Sequence, residues 1–476
     1  IYEPADTAFF AVRGLHHDGH QYVESLYHKG VREFIVEKAS WNSSLAEKAK
    51  SWNNTSIWVV NNSIETLQHI AHVHRMAFSL PVIGITGSNG KTICKEWLAI
   101  LCNGNFSVVK SPKSYNSQIG VPLSLWAMQE KHTLGIFEAG ISQVGEMEKI
   151  EAMLQPDYGI FTHFGEAHGS NFNSDEEKLR EKLTLFKKAK KLVYRVKDLQ
   201  NDPINRIMQE INPSCELYSW NTISPEKGLF TFWQTKGKSS QIKVIKAAQS
   251  EAFIDSQIDF TDEASLENAT HCIIMASILG LSRDELGIKA KLLKPISMRL
   301  EMKEGLRGNT LIDDSYNNDL DGLRLALPLL QKKGQMKSVL ILSDFLETGL
   351  PEKDLYSTIS ALIQHQKIDR IIGIGEQIIR NKIVFDQIDV FHSTDDLISS
   401  GLLNSISNSQ ILLKGARKYN FEKLVHALEN KTHRTQLEVN LDAIQHNLTY
   451  FKKDIGPETK LMVMVKAFAY GTGAIE

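Results

Sequence analysis

The run Gly84-Ile85-Thr86-Gly87-Ser88-Asn89-Gly90-Lys91-Thr92 has the composition of a phosphate cradle. Small residues between a strand and a helix let successive backbone N–H groups point at phosphate oxygens. Lys91 can neutralise the outer phosphates, and the Thr92 hydroxyl can ligate Mg²⁺. Ile85 holds the position where the generic G-x-x-x-x-G-K-[ST] pattern has its first Gly, so the fit is off by one residue. The bland alternative is an ordinary strand-to-helix turn.

Phosphoryl transfer also needs hard ligands for a divalent cation. Glu138 closes the apolar run Leu134–Phe137, which places it at the C-terminal edge of a sheet, where open α/β folds bind ligands. His168 lies in the small-residue loop Gly165-Glu166-Ala167-His168-Gly169 after another strand run. Lys182, within Lys178–Phe186, reads by its chemistry as one more solvated helical lysine. His69, His72 and His74, and the group His16, His17 and His20, lack carboxylate or cysteine partners at metal-ligand spacing and read as structural or surface histidines. Cys94, Cys102, Cys215 and Cys272 show no C-x-x-C pairing, so neither a disulfide framework nor a zinc ribbon is expected, and a reducing cytoplasm is the simplest compartment.

The elements carrying these residues alternate. The chain has 476 residues, 42% of them hydrophobic, which suggests about three domains. With 54 Lys+Arg against 56 Asp+Glu, nothing points to a nucleic-acid binder, and no apolar run is long enough to span a membrane. Strand runs at Phe9–Val12, Phe34–Val36 and Ile57–Val60, with helical stripes between them, predict a small α/β unit over 1–80. Residues 81–298 predict a parallel sheet covered by helices, from Val82–Ile85, Leu134–Phe137, Tyr158–Thr162 and Leu192–Val196, with the stripe Ile93, Trp97, Ile100 and Leu101 on the helix after the loop. Within it, 213–262 reads as irregular with two short β-rich runs, followed by a helix over 264–281 and a capping box at Ser282. Residues 299–430 predict a third α/β domain with strands at Thr310–Ile312, Val339–Leu342, Ile371–Ile374 and Ile411–Leu413. The last piece, 431–476, holds a strand at Gln436–Asn440, a helix around Leu441–Phe451 and an apolar run, Leu461–Val465. A start at Ile1 and a stop at Glu476 read as the ends of a piece of something longer.

Taken together, these residues resemble the Mur ligases, the ATP-dependent amide-forming enzymes of peptidoglycan precursor synthesis, over about residues 5–430. The resemblance implies an N-terminal UDP-substrate domain, a central P-loop ATPase domain and a C-terminal Rossmann-like domain. It is nearest to the member that joins UDP-N-acetylmuramoyl-tripeptide to D-alanyl-D-alanine. Thr86–Thr92 is the family's version of the loop, so Gly87, Ser88, Asn89, Gly90, Lys91 and Thr92 would bind ATP. Asn116, in Ser114–Leu123, falls in the family's Asn-rich segment. Glu138 and His168 match Mg²⁺ ligands, although Ile141-Ser142-Gln143 departs from the usual Ala-Asn-His. Lys182 matches the lysine that is carbamylated in these enzymes. Asn268 and Arg299 resemble the adenosine-binding pair, with Asp314 near the ribose or metal. Ser315, Tyr316 and Asn317 continue that motif, while Asn318-Asp319-Leu320 departs from the expected Ala-Asn-Pro. Leu342–Glu347 and the segment of Lys414 and Arg417 match motifs facing the acceptor dipeptide. Asp18 and His20 match the uridine-nucleotide domain, whose expected Asp-Ser-Arg segment is absent.

Residues 435–444 and 464–473 resemble the start of alanine racemase. That resemblance implies a pyridoxal phosphate Schiff base at Lys466, a phosphate contact at Tyr470, a truncated TIM barrel and a possible homodimer. Two alternatives stand beside the ligase reading: a folylpolyglutamate synthase-like ligase, and a racemase whose ligase half is a nucleotide-binding scaffold.

Overall fold

The computed structural model describes the chain apart from residues 1–3, 15–17, 42, 166–170, 247–251, 297–300, 316–317, 331–335, 347–349, 431–440, 456–458 and 463–476. It divides into two compact units, Ile1–Glu429 and Asn430–Glu476. The first unit contains three sheets. The smallest has the order β1-β2-β3 (Ala8–Phe10, Glu33–Glu37, Ser56–Val60), with all its pairs parallel.

The central sheet has nine strands, β4 to β12: Val82–Thr86, Val108–Lys110, Leu134–Glu138, Tyr158–Phe161, Lys191–Arg195, Glu216–Asn221, Leu229–Lys236, Ser239–Lys246 and Ala252–Ile258. Their order is β12-β11-β10-β9-β8-β7-β4-β6-β5. The run from β5 to β10 is parallel, as the apolar strands with intervening helices require, because crossover helices bury both faces. β10, β11 and β12 then add an antiparallel extension. This corrects the expectation for 213–262, where two short β runs become four strands. Buried residues alternate along β11 and β12 with a mixed face of Gln241, Lys243, Asp255 and Gln257 beside Ile245 and Phe253, so no continuous apolar run marks each strand. Gly237, at φ +65°, turns the hairpin that pairs Lys236 with Ser239.

The third sheet contains β13 to β18: Glu301–Glu304, Thr310–Asp314, Lys337–Ser343, Arg370–Ile374, Asp389–Phe391 and Ser409–Lys414. Its order is β13-β14-β18-β15-β16-β17, parallel except for β13. β5, β13 and β17 are three- or four-residue strands absent from the sequence expectation; they are too short for a period-two signal.

The helix Lys91–Cys102 is the element that positions the site. One side, with Cys94, Trp97, Leu98 and Leu101, enters a core shared with β4, β6 and the helix Glu263–Ile278. Trp97 is fully buried and donates its Nε1 hydrogen to the Lys294 carbonyl at 2.8 Å. The Ser282 capping box forms as expected, starting the helix Arg283–Lys289. All four cysteines are buried and unbridged. Among the described residues, no helix is long and apolar enough to cross a membrane.

In the second unit the described structure is the helix Leu441–Ile455, matching the expected helix. The strand expected at 436–440 and most of the apolar run 461–465 lie outside the described residues, as do Lys466 and Tyr470.

Trp97→Ala empties a closed site and orphans the Lys294 carbonyl. The expected cost is about 3–5 kcal/mol, read as a lowered urea midpoint in the circular dichroism of the full chain.

Candidate active site

Strand β4 ends in a loop that its neighbours hold from behind. Gly87 has φ +143°, and a Cβ there would lie 2.0 Å from Thr162 Oγ1, so only glycine fits. Thr162 Oγ1 donates to the Asn89 carbonyl at 2.6 Å, and the Ser88 N–H donates to the His163 carbonyl at 2.7 Å. Ser88 Oγ also exchanges hydrogen bonds with Gly165 at 3.0 Å. Gly90, at φ +89°, stands immediately before the helix, and a Cβ there would meet Asn268 Oδ1 at 2.3 Å. The loop is thereby pinned on the ends of β7 and against the helix Glu263–Ile278. Lys91 Nζ donates to the Gly87 and Ser88 carbonyls at 2.8 and 2.9 Å.

Glu138, at the end of β6, is fully buried. Thr92 Oγ1 donates to its Oε2 at 3.1 Å and lies 3.0 Å from Ser114 Oγ. Its Oε1 lies 3.0 Å from Nζ of Lys95, an equally buried residue one turn after Lys91. Lys95 also donates to the Ser111 carbonyl at 2.8 Å and to that of Lys113, tying the segment before Asn116 to the helix. Glu138 Oε2, the oxygen turned away from Lys95, forms with the Thr92 hydroxyl a hard-oxygen donor set of the kind Mg²⁺ selects. Thr92 and Glu138 therefore fit a divalent cation at the head of the loop. His168, the other expected ligand, lies outside the described residues.

Lys182 departs most from its appearance in sequence. It is 2% exposed and donates to the Gly87 carbonyl at 3.4 Å. Burial, with the charges of Lys91 and Lys178 nearby, pushes its ammonium well below the ordinary lysine value of 10.5. Lys178, one turn earlier, is also buried and donates to the Gly165 carbonyl. In sequence the two lysines look like a solvated face; the fold turns that face against the loop.

Two cavities open from the loop. One of about 160 Å³ is lined by Asn89, Gly90, Glu267, Asn268, Asp314 and Lys414, among others. The other, of about 1020 Å³, contains Lys91, Thr92, Asn116, Lys182 and Arg417, and reaches Ile64 of the N-terminal region. The structure thus brings Asn268 and Asp314 together on one side of the loop, and Asn116, Lys182 and Arg417 on the other. Lys414, expected to face the acceptor, sits with the first group, its Nζ 2.6 Å from Asp314 Oδ2. Ser315 Oγ donates to Asp313 at 2.6 Å, while Arg299, Tyr316 and Asn317 lie outside the described residues. Asp18 and His20 engage each other: His20 Nδ1 is 2.6 Å from Asp18 Oδ1, and its Nε2 accepts from the Glu37 N–H at 2.9 Å.

Three participants were not picked out from sequence. Lys95 could have been flagged as a lysine at i+4 from Lys91 on an apolar stripe. Asp319, at the start of the helix Leu320–Ala326, accepts from Asn89 Nδ2 at 3.2 Å, a contact across 230 positions, and its carboxyl is held below the ordinary value: burial opposes this, but Lys414 and hydrogen bonds from Gly322 and Asn89 prevail. Glu267 precedes Asn268 on a helix otherwise read as core. Burial opposes its ionisation, but His163, His271 and Arg195 keep its carboxyl well below the usual range.

Between its depressed folded value and 10.5, Lys182 binds a proton in the unfolded chain and not in the native one, so its contribution to stability rises with pH and is a penalty at pH 7. Lys182→Met is expected to raise the urea midpoint at pH 7, by an amount that shrinks as pH approaches 10.5. An equal or lower midpoint at pH 7 contradicts the buried-amine geometry.

The sequence profile of the Mur ligase middle domain matches residues 85–276, and that of the alanine racemase N-terminal domain matches residues 439–476. The chain is 26% identical over 437 residues to the UDP-N-acetylmuramoyl-tripeptide–D-alanyl-D-alanine ligase of Bacillus subtilis, covering 88% of this chain and 90% of that one. It superposes on MurF of Acinetobacter baumannii with a TM-score of 0.73 at 21% identity, covering 88% and 90% of the two chains. It superposes on the Thermotoga maritima MurF ligase in complex with ADP with a TM-score of 0.71 at 20% identity, covering 88% and 93%. The chain therefore has the mixed α/β fold of the MurF ligases, and its phosphate loop lies within the matched middle domain.

Proposed function

We propose that this chain is an ATP-dependent peptide ligase that joins UDP-N-acetylmuramoyl-tripeptide to D-alanyl-D-alanine in cytoplasmic peptidoglycan precursor synthesis. The observation that carries the reading is the convergence of Lys91, Thr92, Glu138 and Lys182 on one phosphate loop. Similarity along nearly the whole chain to ligases of this activity supports the choice of substrates.

The backbone amides of 87–92 receive the β- and γ-phosphates, and Lys91 moves its ammonium from the Gly87 and Ser88 carbonyls to a phosphate oxygen. Thr92 and Glu138 hold Mg²⁺, which when bound neutralises the charge on the transferred group. The smaller cavity takes the nucleoside, with Asn268 and Asp314 on its walls; the larger one takes the peptide substrates beside Asn116 and Arg417. The tripeptide carboxylate attacks the γ-phosphorus, the bond to ADP breaks, and an acyl phosphate forms. The dipeptide amine then attacks the acyl carbon; the carbon–oxygen bond breaks, phosphate leaves and the amine loses a proton. Asn89 and Asp319 hold the third domain against the loop, which excludes the water that would hydrolyse the acyl phosphate.

Lys182 completes the cation site. As a neutral amine it adds to CO₂, forming an N–C bond and releasing a proton, and the resulting carbamate is an oxygen donor where an ammonium would repel the cation. No step of this reaction runs through pyridoxal phosphate, Lys466 or Tyr470.

The test is phosphate release from ATP in the presence of both peptide substrates. Release is expected to require all three reactants, and Glu138→Gln is expected to lower kcat by roughly 100-fold or more in a folded chain. Release stimulated by folate and glutamate instead identifies a folylpolyglutamate synthase-like ligase. Growth supported by a Lys91→Ala variant favours the scaffold reading.

A further inference from the structure

The nucleoside cavity contains a carboxylate that the proposed reaction leaves without a role. Glu267 lies one residue before Asn268, is 6% exposed, and lines the same cavity. Its position is strongly determined. Arg195 Nη1 donates to Oε2 at 2.5 Å, and His163 Nδ1 lies 3.7 Å from Oε1. The Arg195 guanidinium is itself held over Trp220 and Trp233, at 5.4 and 5.1 Å from the ring centroids. Trp220 in turn donates to His271 Nδ1 at 3.1 Å. This chain of contacts runs from the core between the sheet and the helix Glu263–Ile278 to one carboxylate at the cavity wall.

The rest of the cavity orients a ligand. Asn89 and Gly90 mark its phosphate end. Ile93, Ala264 and Leu325 supply apolar surface of the kind that covers the faces of a planar base. Asp314 and Lys414 line the cavity from the third sheet, and His163, Lys197, Glu263 and Asn268 from the central one. Of the two carboxylates that the helix Glu263–Ile278 contributes, Glu263 is 65% exposed and Glu267 is buried, which sets Glu267 where a base edge would be out of water. An ionised carboxylate only accepts hydrogen bonds, with about four lone-pair sites over its two oxygens, so the contacts from Arg195 and His163 leave room for another donor. A 6-aminopurine offers such a donor, whereas a 6-oxopurine presents an acceptor that the carboxylate repels.

We propose that Glu267 is the nucleobase-specificity residue of this site, accepting from the exocyclic amine of a 6-aminopurine nucleotide and rejecting 6-oxopurines. The proposal rests on the nucleotide-site reading above and concerns the base alone. The experiment measures displacement of a fluorescent ADP analogue from the full chain by ADP, GDP, 2′-deoxy-ADP and purine-riboside diphosphate, which lacks the 6-amino group. Wild type is expected to bind ADP at least tenfold more tightly than GDP or the purine-riboside compound. Glu267→Gln, whose amide can donate to a 6-oxo group, is expected to lower the ADP-to-GDP preference at least tenfold. Equal binding of ADP and purine-riboside diphosphate by wild type overturns the proposal without relying on a variant's folding. So does an equal loss of both nucleotides in Glu267→Gln, which marks a merely structural role, or a change confined to the 2′-deoxy comparison, which places the carboxylate on the ribose. ADP binding with this selectivity, but without phosphate release from ATP and the peptide substrates, supports the base assignment while refuting the ligase reading.

Discussion

The structure turns on the burial of charge at the C-terminal edge of the central sheet. Glu138 and Lys95 are both fully inaccessible and 3.0 Å apart. Such a pair is costly to desolvate, and it persists only where geometry and further hydrogen bonds satisfy the remaining valences. Here Thr92 supplies a donor to Glu138, while Glu96 and the Ser111 and Lys113 carbonyls surround Lys95. These contacts fix, relative to the helix Lys91–Cys102, the end of β6 and the segment leading to Asn116. The phosphate loop, the carboxylate and one wall of the larger cavity are therefore positioned by a single polar knot set into an apolar sheet.

The same economy explains the two sides of the loop. On the inner side, Lys182 is kept as a poor cation by burial and by the neighbouring Lys91 and Lys178. On the outer side, Glu267 is kept as a strong anion by Arg195 and His163 in spite of its burial. Two groups on comparable helices are driven in opposite directions, toward the neutral amine and toward the carboxylate, by which charges the sheet edge presents to them. The two helices thus present a neutral group and an anion to the same loop region.

The alternation of β and α segments, the loop and the helix after it were legible because they are local: apolar runs, small residues and a 3.6-residue stripe carry their own signal. Glu138 was legible as a strand-end carboxylate, though its burial was not. Lys182, Lys178 and Lys95 were not legible as buried groups, because nothing in a Lys-rich helix states which face a distant loop will cover. The hairpin extension β10–β12 was missed for a related reason. Its open face mixes aromatic with polar residues, so the pattern looks irregular until pairing with β9 gives it a register. Glu267 was hidden by its neighbours, since one carboxylate within a run that includes Leu266, Ala269 and Cys272 looks like an interruption of the core.

The third sheet shows where residue type alone gives the wrong emphasis. Lys414 sits at the end of β18, and a lysine at that edge looks suited to an anionic acceptor. The parallel register of β14 with β18 sets Asp314 directly opposite Lys414, and the two close a 2.6 Å ion pair on the wall of the smaller cavity. A charge paired in that way is held in one orientation, with its partner carboxylate beside it. Arg417, three residues on and past the strand end, lines the larger cavity instead. The division of labour between two cations of one short motif is thus a consequence of strand register, and the two cavities receive their charges from the same sheet edge.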